Sequence, residues 1–201
     1  MPIGAVIPVD PRYSPGVPHC GEAVALVARV STSIMSREPI QLTVIMSIAT
    51  TVGDALAFEE IDFKILRHAA VERPAAAATQ AGIAPERVAK AVLLKDPHGY
   101  LLTVIPATRT LDLELLCTEL HRHLTLAEDE DLDDLFCDCV VGSVPPIGPW
   151  YRVPTVVDSS LKDQPDVYFE AGDDDSLVHV TETGFERLLD GAEYFAFSRQ
   201  A

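Results

Sequence analysis

Apolar and polar residues recur along this chain at two spacings, and the changes of spacing outline its elements. After the hydroxyl-bearing stretch Met46-Ser47-Ile48-Ala49-Thr50-Thr51, the residues Val52, Leu56 and Phe58 fall at helical intervals and predict a helix. Asp62 to Arg67 alternates as a strand does. Pro74 suits the first turn of a short helix over Ala75 to Ala81, which Gly82 would end. Arg87 to Lys95 and Tyr100 to Ile105 read as two strands joined by the turn Asp96-Pro97-His98-Gly99, a hairpin. Asp112 can cap a helix through His121 with Leu113, Leu116 and Leu120 inward. Further strands are expected at Thr155–Val157, Val167–Phe169 and Leu177–Val180, then a helix near Phe185–Leu189. Strands interleave with helices but hairpins are present, so the expected class is α/β with a mixed, largely antiparallel β-sheet surrounded by helices.

The first 45 residues differ from the rest of the chain. They hold six of the 15 prolines and show little periodicity outside Val24 to Val30. The predicted organisation is an extension over residues 1–45, loosely structured or an over-called translation start, and a compact unit over 46–201.

Charge sharpens this division. The net charge of -16 argues against a protein held on nucleic acid by bulk electrostatics. Its distribution narrows that objection: residues 1–45 are neutral, Lys64 to Arg122 carries eight basic and six acidic groups, and His123 to Ala201 carries four basic and eighteen acidic. The middle of the chain can still face a polyanion. The densest acidic run, Glu128 to Asp138, reads as a solvated helix face starting near Ala127.

Four cysteines in 201 residues do not make a disulfide scaffold and fit a reducing compartment. The N-terminal residues lack a basic segment followed by an apolar run, and no stretch reaches the roughly 18 apolar residues of a membrane span. The expected location is the cytoplasm, without a membrane partner.

Two features draw attention as chemistry. On a strand, Lys90 shares a face with Val88, Val92 and Leu94, and an ammonium among such neighbours either snorkels past the sheet edge or is held there for a purpose. In Gly142-Ser143-Val144-Pro145-Pro146-Ile147-Gly148, paired prolines stiffen a loop while glycines at its ends permit close approach to the backbone. A tight connection between elements would use the same residues. A metal site drawn from Cys117, His121, His123, Cys137 and Cys139 matches no standard zinc spacing, and phosphate-loop, dinucleotide and Gly-x-Ser-x-Gly fingerprints are absent.

Several separate segments, in order, resemble one family. The run Ala81 to Leu94, Tyr100 to Pro106, Leu111-Asp112-Leu113, the Gly-x-x-Pro-Pro-x-Gly loop and Phe169-Glu170-Ala171-Gly172 are similar to the YbaK/EbsC aminoacyl-tRNA deacylases, relatives of the editing domain inserted in bacterial prolyl-tRNA synthetases. The resemblance spans about residues 52–195 and implies hydrolysis of a mischarged aminoacyl-tRNA ester, without a cofactor. It implies that Lys90 is the main functional residue and that Gly142, Ser143, Val144, Pro145, Pro146, Ile147 and Gly148 shape the aminoacyl pocket; the loop Glu170-Ala171-Gly172, which ends a predicted strand, is expected nearby, with Gly172 as its site residue. His68 matches a histidine common in the family, although Ala69 stands where proline usually comes next. The cysteine-specific branch tends to carry Gly-Gly-x-Ser-Pro-x-Gly at the loop, a pattern this chain lacks.

The implied chemistry needs few polar groups. An aminoacyl ester is already activated, so positioning and oxyanion stabilisation suffice without a catalytic triad. Lys90 would hold the carbonyl oxygen or terminal ribose-phosphate, and N–H groups of Gly142 or Ser143 would complete the donors; the nucleophile would be water or a group of the substrate. The implied partners are the acceptor end of an aminoacyl-tRNA and a synthetase that supplies RNA affinity. The competing expectation is a non-catalytic module of the same fold that binds an amino acid or tRNA.

Overall fold

The computed structural model describes residues 48–68, 82–162 and 164–200. The expected extension over 1–45, its boundary at 46 and the helix after Pro74 lie outside the described residues.

The core of the molecule is the hairpin β2 (Val88–Asp96) and β3 (Gly99–Pro106), paired from Ala89–Pro106 to Asp96–Gly99. The sequence makes this turn tight: the Asp96 carboxylate accepts from His98 N at 2.8 Å, and Gly99 takes a φ of 124°. Around the hairpin stand β1 (Lys64–Arg67), β5 (Thr125–Leu126), β6 (Thr155–Asp158), β7 (Asp166–Glu170), β8 (Ser176–Thr181) and β9 (Glu193–Phe195), in the order β1-β8-β7-β2-β3-β6-β9 with β5 also on β2. Pairs β1/β8, β7/β8, β2/β3 and β2/β5 are antiparallel, whereas β2/β7, β3/β6 and β6/β9 are parallel. The sheet is therefore mixed with an antiparallel majority, as the alternation of strands, hairpins and helices predicts. Two short strands, β4 (Arg109–Leu111) and β10 (Ser198–Gln200), form a separate antiparallel pair.

Among the described residues, four α-helices cover the sheet. The pleat sends Ala89, Ala91 and Leu93 to one face and Val92 and Leu94 to the other. On the first face lie α1 (Thr50–Phe58), with Val52 and Leu56 buried, and α4 (Glu182–Leu188), with Phe185 and Leu188. On that face α3 (Asp129–Leu135) lays Leu132 and Leu135 against Leu93, Leu102 and Phe136. The second face takes α2 (Leu113–Leu120), whose Leu116 packs with Leu94, Leu101, Ile105 and Phe197. Asp112 caps α2 as expected, accepting from Leu115 N at 3.1 Å.

Two local expectations are refined. The hydroxyl run before α1 supplies no side-chain cap; Asp138, 87 positions downstream, accepts from Thr51 N at 2.8 Å. The acidic helix α3 is exposed along Asp129, Glu130, Asp133 and Asp134, but Asp131 turns inward to Lys95 Nζ at 2.6 Å and to the Tyr100 hydroxyl at 2.7 Å. Those contacts hold its carboxyl down at about 2. One inward acid thus pins an otherwise solvated face to the hairpin.

Candidate active site

The site begins with an interruption in sheet pairing. Along one edge of β2, β7 pairs only at Val88 and Ala89, and β5 pairs only at Leu94 and Lys95. Over the stretch between, Ala91 and Val92 are paired with β3 on the opposite edge. A cavity of about 230 Å³ opens at this fork. Ala91, Val92 and Leu93 form its floor, Leu126, Ala127 and Leu132 one wall, and Gly142, Val144 and Glu170 the other. Ala127 N donates to Leu93 O at 3.0 Å and ties the first wall to the floor.

The second wall is held by a clamp around Gly172. Val140 N donates to Gly172 O at 2.7 Å, and Ala49 N donates to Ala171 O at 2.8 Å. Gly172 has a φ of 90°, and a Cβ there would collide with Ala49 Cβ and stand 3.0 Å from Cys139 Sγ. Only glycine lets the three segments meet this closely. Beside the clamp, the Tyr151 hydroxyl donates to Asp138 Oδ1 at 3.1 Å and lies 3.4 Å from Cys139 Sγ. Burial pushes the Cys139 thiol up to about 12 and the Tyr151 phenol above its ordinary range, so both remain protonated and serve as fixed dipoles.

The residues nominated from the sequence divide into three groups. Gly142 and Val144 line the cavity, and Gly142 combines a φ of 90° with open space where a Cβ would go. Ser143, Pro145, Pro146, Ile147 and Gly148 are buried behind that lining. Ile147 is part of the main core, and a Cβ on Gly148 would stand 2.9 Å from Val153 O. Ser143 N donates to Val140 O at 3.0 Å, so of the two proposed loop donors Ser143 is committed to the turn. Lys90 is partly buried at the strand position before Ala91. It is not a lining residue, but its face is defined: Ala89 aligns with Phe169 in parallel register, and the next step places Lys90 and Glu170 on neighbouring strands with the same orientation. His68 stands at the end of β1, its N–H bonded to Asp175 O at 2.9 Å in the connection beyond Glu170 and Gly172. Gly142 and Val144 thus line one cavity, Gly172 clamps the segment behind its second wall, Lys90 precedes its floor on β2, and His68 stands at the end of β1.

Sequence reasoning set the Glu170-Ala171-Gly172 loop near the pocket but nominated only Gly172 from it. The structure makes it the one ionisable residue lining this cavity, among the described residues. Desolvation first, and the nearby Asp173 carboxylate second, raise it from 4.5 to about 7. Asp173 is also raised, chiefly by burial, with Arg67 Nη1 4.0 Å from its Oδ2. Arg67 pairs more closely with Asp175. Strand alternation puts Glu170 with Asp166 and Tyr168, an ordinary polar face, so its carboxylate did not stand out within that loop.

A second cavity, of about 280 Å³, is lined by Glu86, Pro106, Thr108, Arg109, Ser160, Gln164 and Gln200 and contains none of the nominated residues. Among the described residues, no group of three His, Cys, Asp or Glu side chains is placed to hold a metal ion. Cys117 lies 3.7 Å from Leu124 O in the α2 layer, away from Cys139 in the clamp. No helix among the described residues is long and apolar enough to cross a membrane.

Comparison with known proteins supplies a context for this geometry. The family model described as the aminoacyl-tRNA editing domain matches residues 68–188, more than half of the chain. Among solved structures, a candidate trans-editing enzyme for prolyl-tRNA synthetase superposes with a TM-score of 0.65 at 24% identity, covering 75% of this chain and 96% of that one. The hypothetical protein APE2540 gives a TM-score of 0.65 at 22% identity, covering 74% and 99%. A candidate signal transduction protein from Marinobacter aquaeolei gives 0.61 at 23% identity over 74% of this chain and only 30% of that one, so the same fold also occurs within a longer polypeptide. Among curated proteins nothing matches the sequence.

Proposed function

The chain belongs to the aminoacyl-tRNA editing domain family, and from that premise we propose that it is a trans-editing hydrolase that deacylates mischarged aminoacyl-tRNA. The observation that carries the proposal is the fork cavity, where a glycine-edged loop and a carboxylate meet the open edge of β2 one residue after Lys90. An aminoacyl ester could enter along that edge.

In this reading water adds to the ester carbonyl, the oxyanion is held by the Lys90 ammonium and the Gly142 N–H, and the bond to the terminal ribose oxygen breaks. That oxygen takes the proton and the free amino acid leaves. Preorganised donors aimed at the developing oxyanion act without a triad, since the ester is already activated. His68 lies within the same turn region and would contact the acceptor end. The reaction takes place in the cytoplasm, and a synthetase supplies the tRNA affinity that eighteen acids after residue 122 deny the chain itself.

The test is a deacylation screen over a panel of mischarged tRNAs with wild type and Lys90→Ala. Loss of at least ~10²-fold in the variant, the scale of removing one oxyanion donor, is the expected result. Near-normal turnover of Lys90→Ala would remove that lysine from the mechanism. Wild-type protein that binds members of the panel and hydrolyses none would make the chain a binding module instead.

A further inference from the structure

The fork cavity has apolar walls and a single charge, and the chemistry of an aminoacyl ester has the same division. Its side chain needs an apolar lining, its carbonyl needs donors, and its α-ammonium needs an acceptor. The first two needs are met by residues already described. The nominated set offers no anion for the third: Lys90 is a cation, and His68, Ser143 and the loop carbonyls are at most neutral acceptors.

We propose that Glu170 is the residue that binds the α-ammonium of the aminoacyl group. Its position suits the task. It ends β7, just past the last pairing of that strand with β2, and lines the cavity that opens there. It is one strand away from Lys90 on the same face, so one substrate can present its carbonyl to the cation and its ammonium to the anion. A floor of Ala91, Val92 and Leu93 and walls carrying Leu126, Leu132 and Val144 give an entering ammonium little other compensation.

The charged groups around Glu170 set its behaviour with pH. Asp173 in the adjoining turn opposes its ionisation, Arg67 on β1 and Asp175 meet Asp173, Lys90 lies one strand away on β2, His68 stands at the end of β1, and Tyr168 shares its own strand face. With no substrate bound, burial leaves the carboxyl half protonated near pH 7. An α-ammonium would draw it into the charged form, so binding weakens as pH falls below 7.

The assignment rests on the editing reading, and the experiment separates the two. Wild type and Glu170→Gln are compared on one aminoacyl-tRNA from the hydrolysed panel and on its Nα-acetylated form, and in equilibrium binding of the corresponding non-hydrolysable 3′-aminoacylamide of adenosine, free and N-acetylated. The expected result is a loss of about 10- to 100-fold in kcat/KM for Glu170→Gln on the free amine, carried by KM, the scale of one charged hydrogen bond. Acetylation costs wild type a similar factor, and the variant no longer distinguishes the two forms. Wild-type KM rises as pH falls from 8 to 6, and the variant's does not. An equal fall in kcat on both substrates would make Glu170 a general base and overturn the assignment; so would binding that ignores acetylation, or no binding of either amide. Charge-dependent binding without turnover would overturn the hydrolase reading and leave Glu170 in this role.

Discussion

Glu170→Gln should make the protein more stable at pH 8 and leave it nearly unchanged at pH 4.5. The Glu170 carboxyl is raised in the folded chain from 4.5 to about 7, first by burial and then by Asp173. A carboxyl whose folded value lies above its unfolded value binds its proton more tightly when folded. Its contribution is fully present below 4.5 and is lost as pH rises through 7. The interval between those two values, at 1.36 kcal/mol for each pH unit, amounts to about 3 kcal/mol. Glutamine keeps the shape and carries no charge, so the variant escapes this loss. Denaturant unfolding of wild type and variant at several values between pH 4.5 and 8 measures it, with the difference between the two proteins cancelling groups such as Asp131 that titrate in both. A difference that grows toward pH 8 by up to about 3 kcal/mol is expected. A difference constant with pH would show that Glu170 ionises as an exposed carboxylate does, and would refute the claim that the cavity desolvates it.

Two glycines separate strain from collision. Gly172→Ala adds both a left-handed backbone and a clash with Ala49, and should lower stability by roughly 2–4 kcal/mol in thermal or denaturant unfolding. Gly142→Ala has open space around its Cβ and should cost only about 1–2 kcal/mol, yet its methyl stands at the cavity and should impair deacylation more than Gly142→Ala impairs folding. Asp138→Ala removes the cap of α1 and the acceptor of the Tyr151 hydroxyl, which should cost about 1–2 kcal/mol; stability restored in Asp138→Ser would identify the cap as the larger part. Cys139, raised to about 12 and buried in the clamp, should react with thiol reagents far more slowly than exposed Cys137, as mass spectrometry of partially alkylated protein would record.

The fold was legible where one residue's neighbours in sequence are also its neighbours in space. Alternation over Arg87–Ile105 and the turn at Asp96–Gly99 specified the hairpin, and Asp112 with Leu113, Leu116 and Leu120 specified α2. The strands that escaped notice, β4, β5, β9 and β10, have two or three residues each, too few for a period to register. The cap of α1 escaped for another reason. Its acceptor is remote, and helix-start hydroxyls beside Thr51 offered a plausible local substitute. Lys90 was visible because a cation interrupts an apolar face. The Glu170-Ala171-Gly172 loop was legible as a neighbour of the pocket, but its carboxylate was not nominated, because an acid at the end of an alternating polar face looks solvated until the third dimension brings α3 and the 137–148 loop against it.

That contrast explains why the site's rigid and reactive parts sit on different kinds of sequence. On the proposed reading the loop from Gly142 to Gly148 must be shaped before any substrate arrives, and shape is written in prolines, in glycines and in residues such as Ile147 that the core consumes. The two charges at the fork are conditional on neighbours from other strands. Lys90 belongs to β2 and Glu170 to β7, and their alignment results from one parallel pairing, Val88 with Tyr168 and Ala89 with Phe169. A slip of one residue would turn either side chain to the opposite face. The buried anchors on both sides of that register, Ala89 and Phe169 in the main core, therefore hold the site's electrostatics in place although neither touches the cavity. Phe169→Ala should accordingly impair deacylation beyond what its lost stability explains when both are measured at a temperature where the variant is fully folded. A variant that is folded and fully active would show that pairing alone, without this packing, sets the alignment.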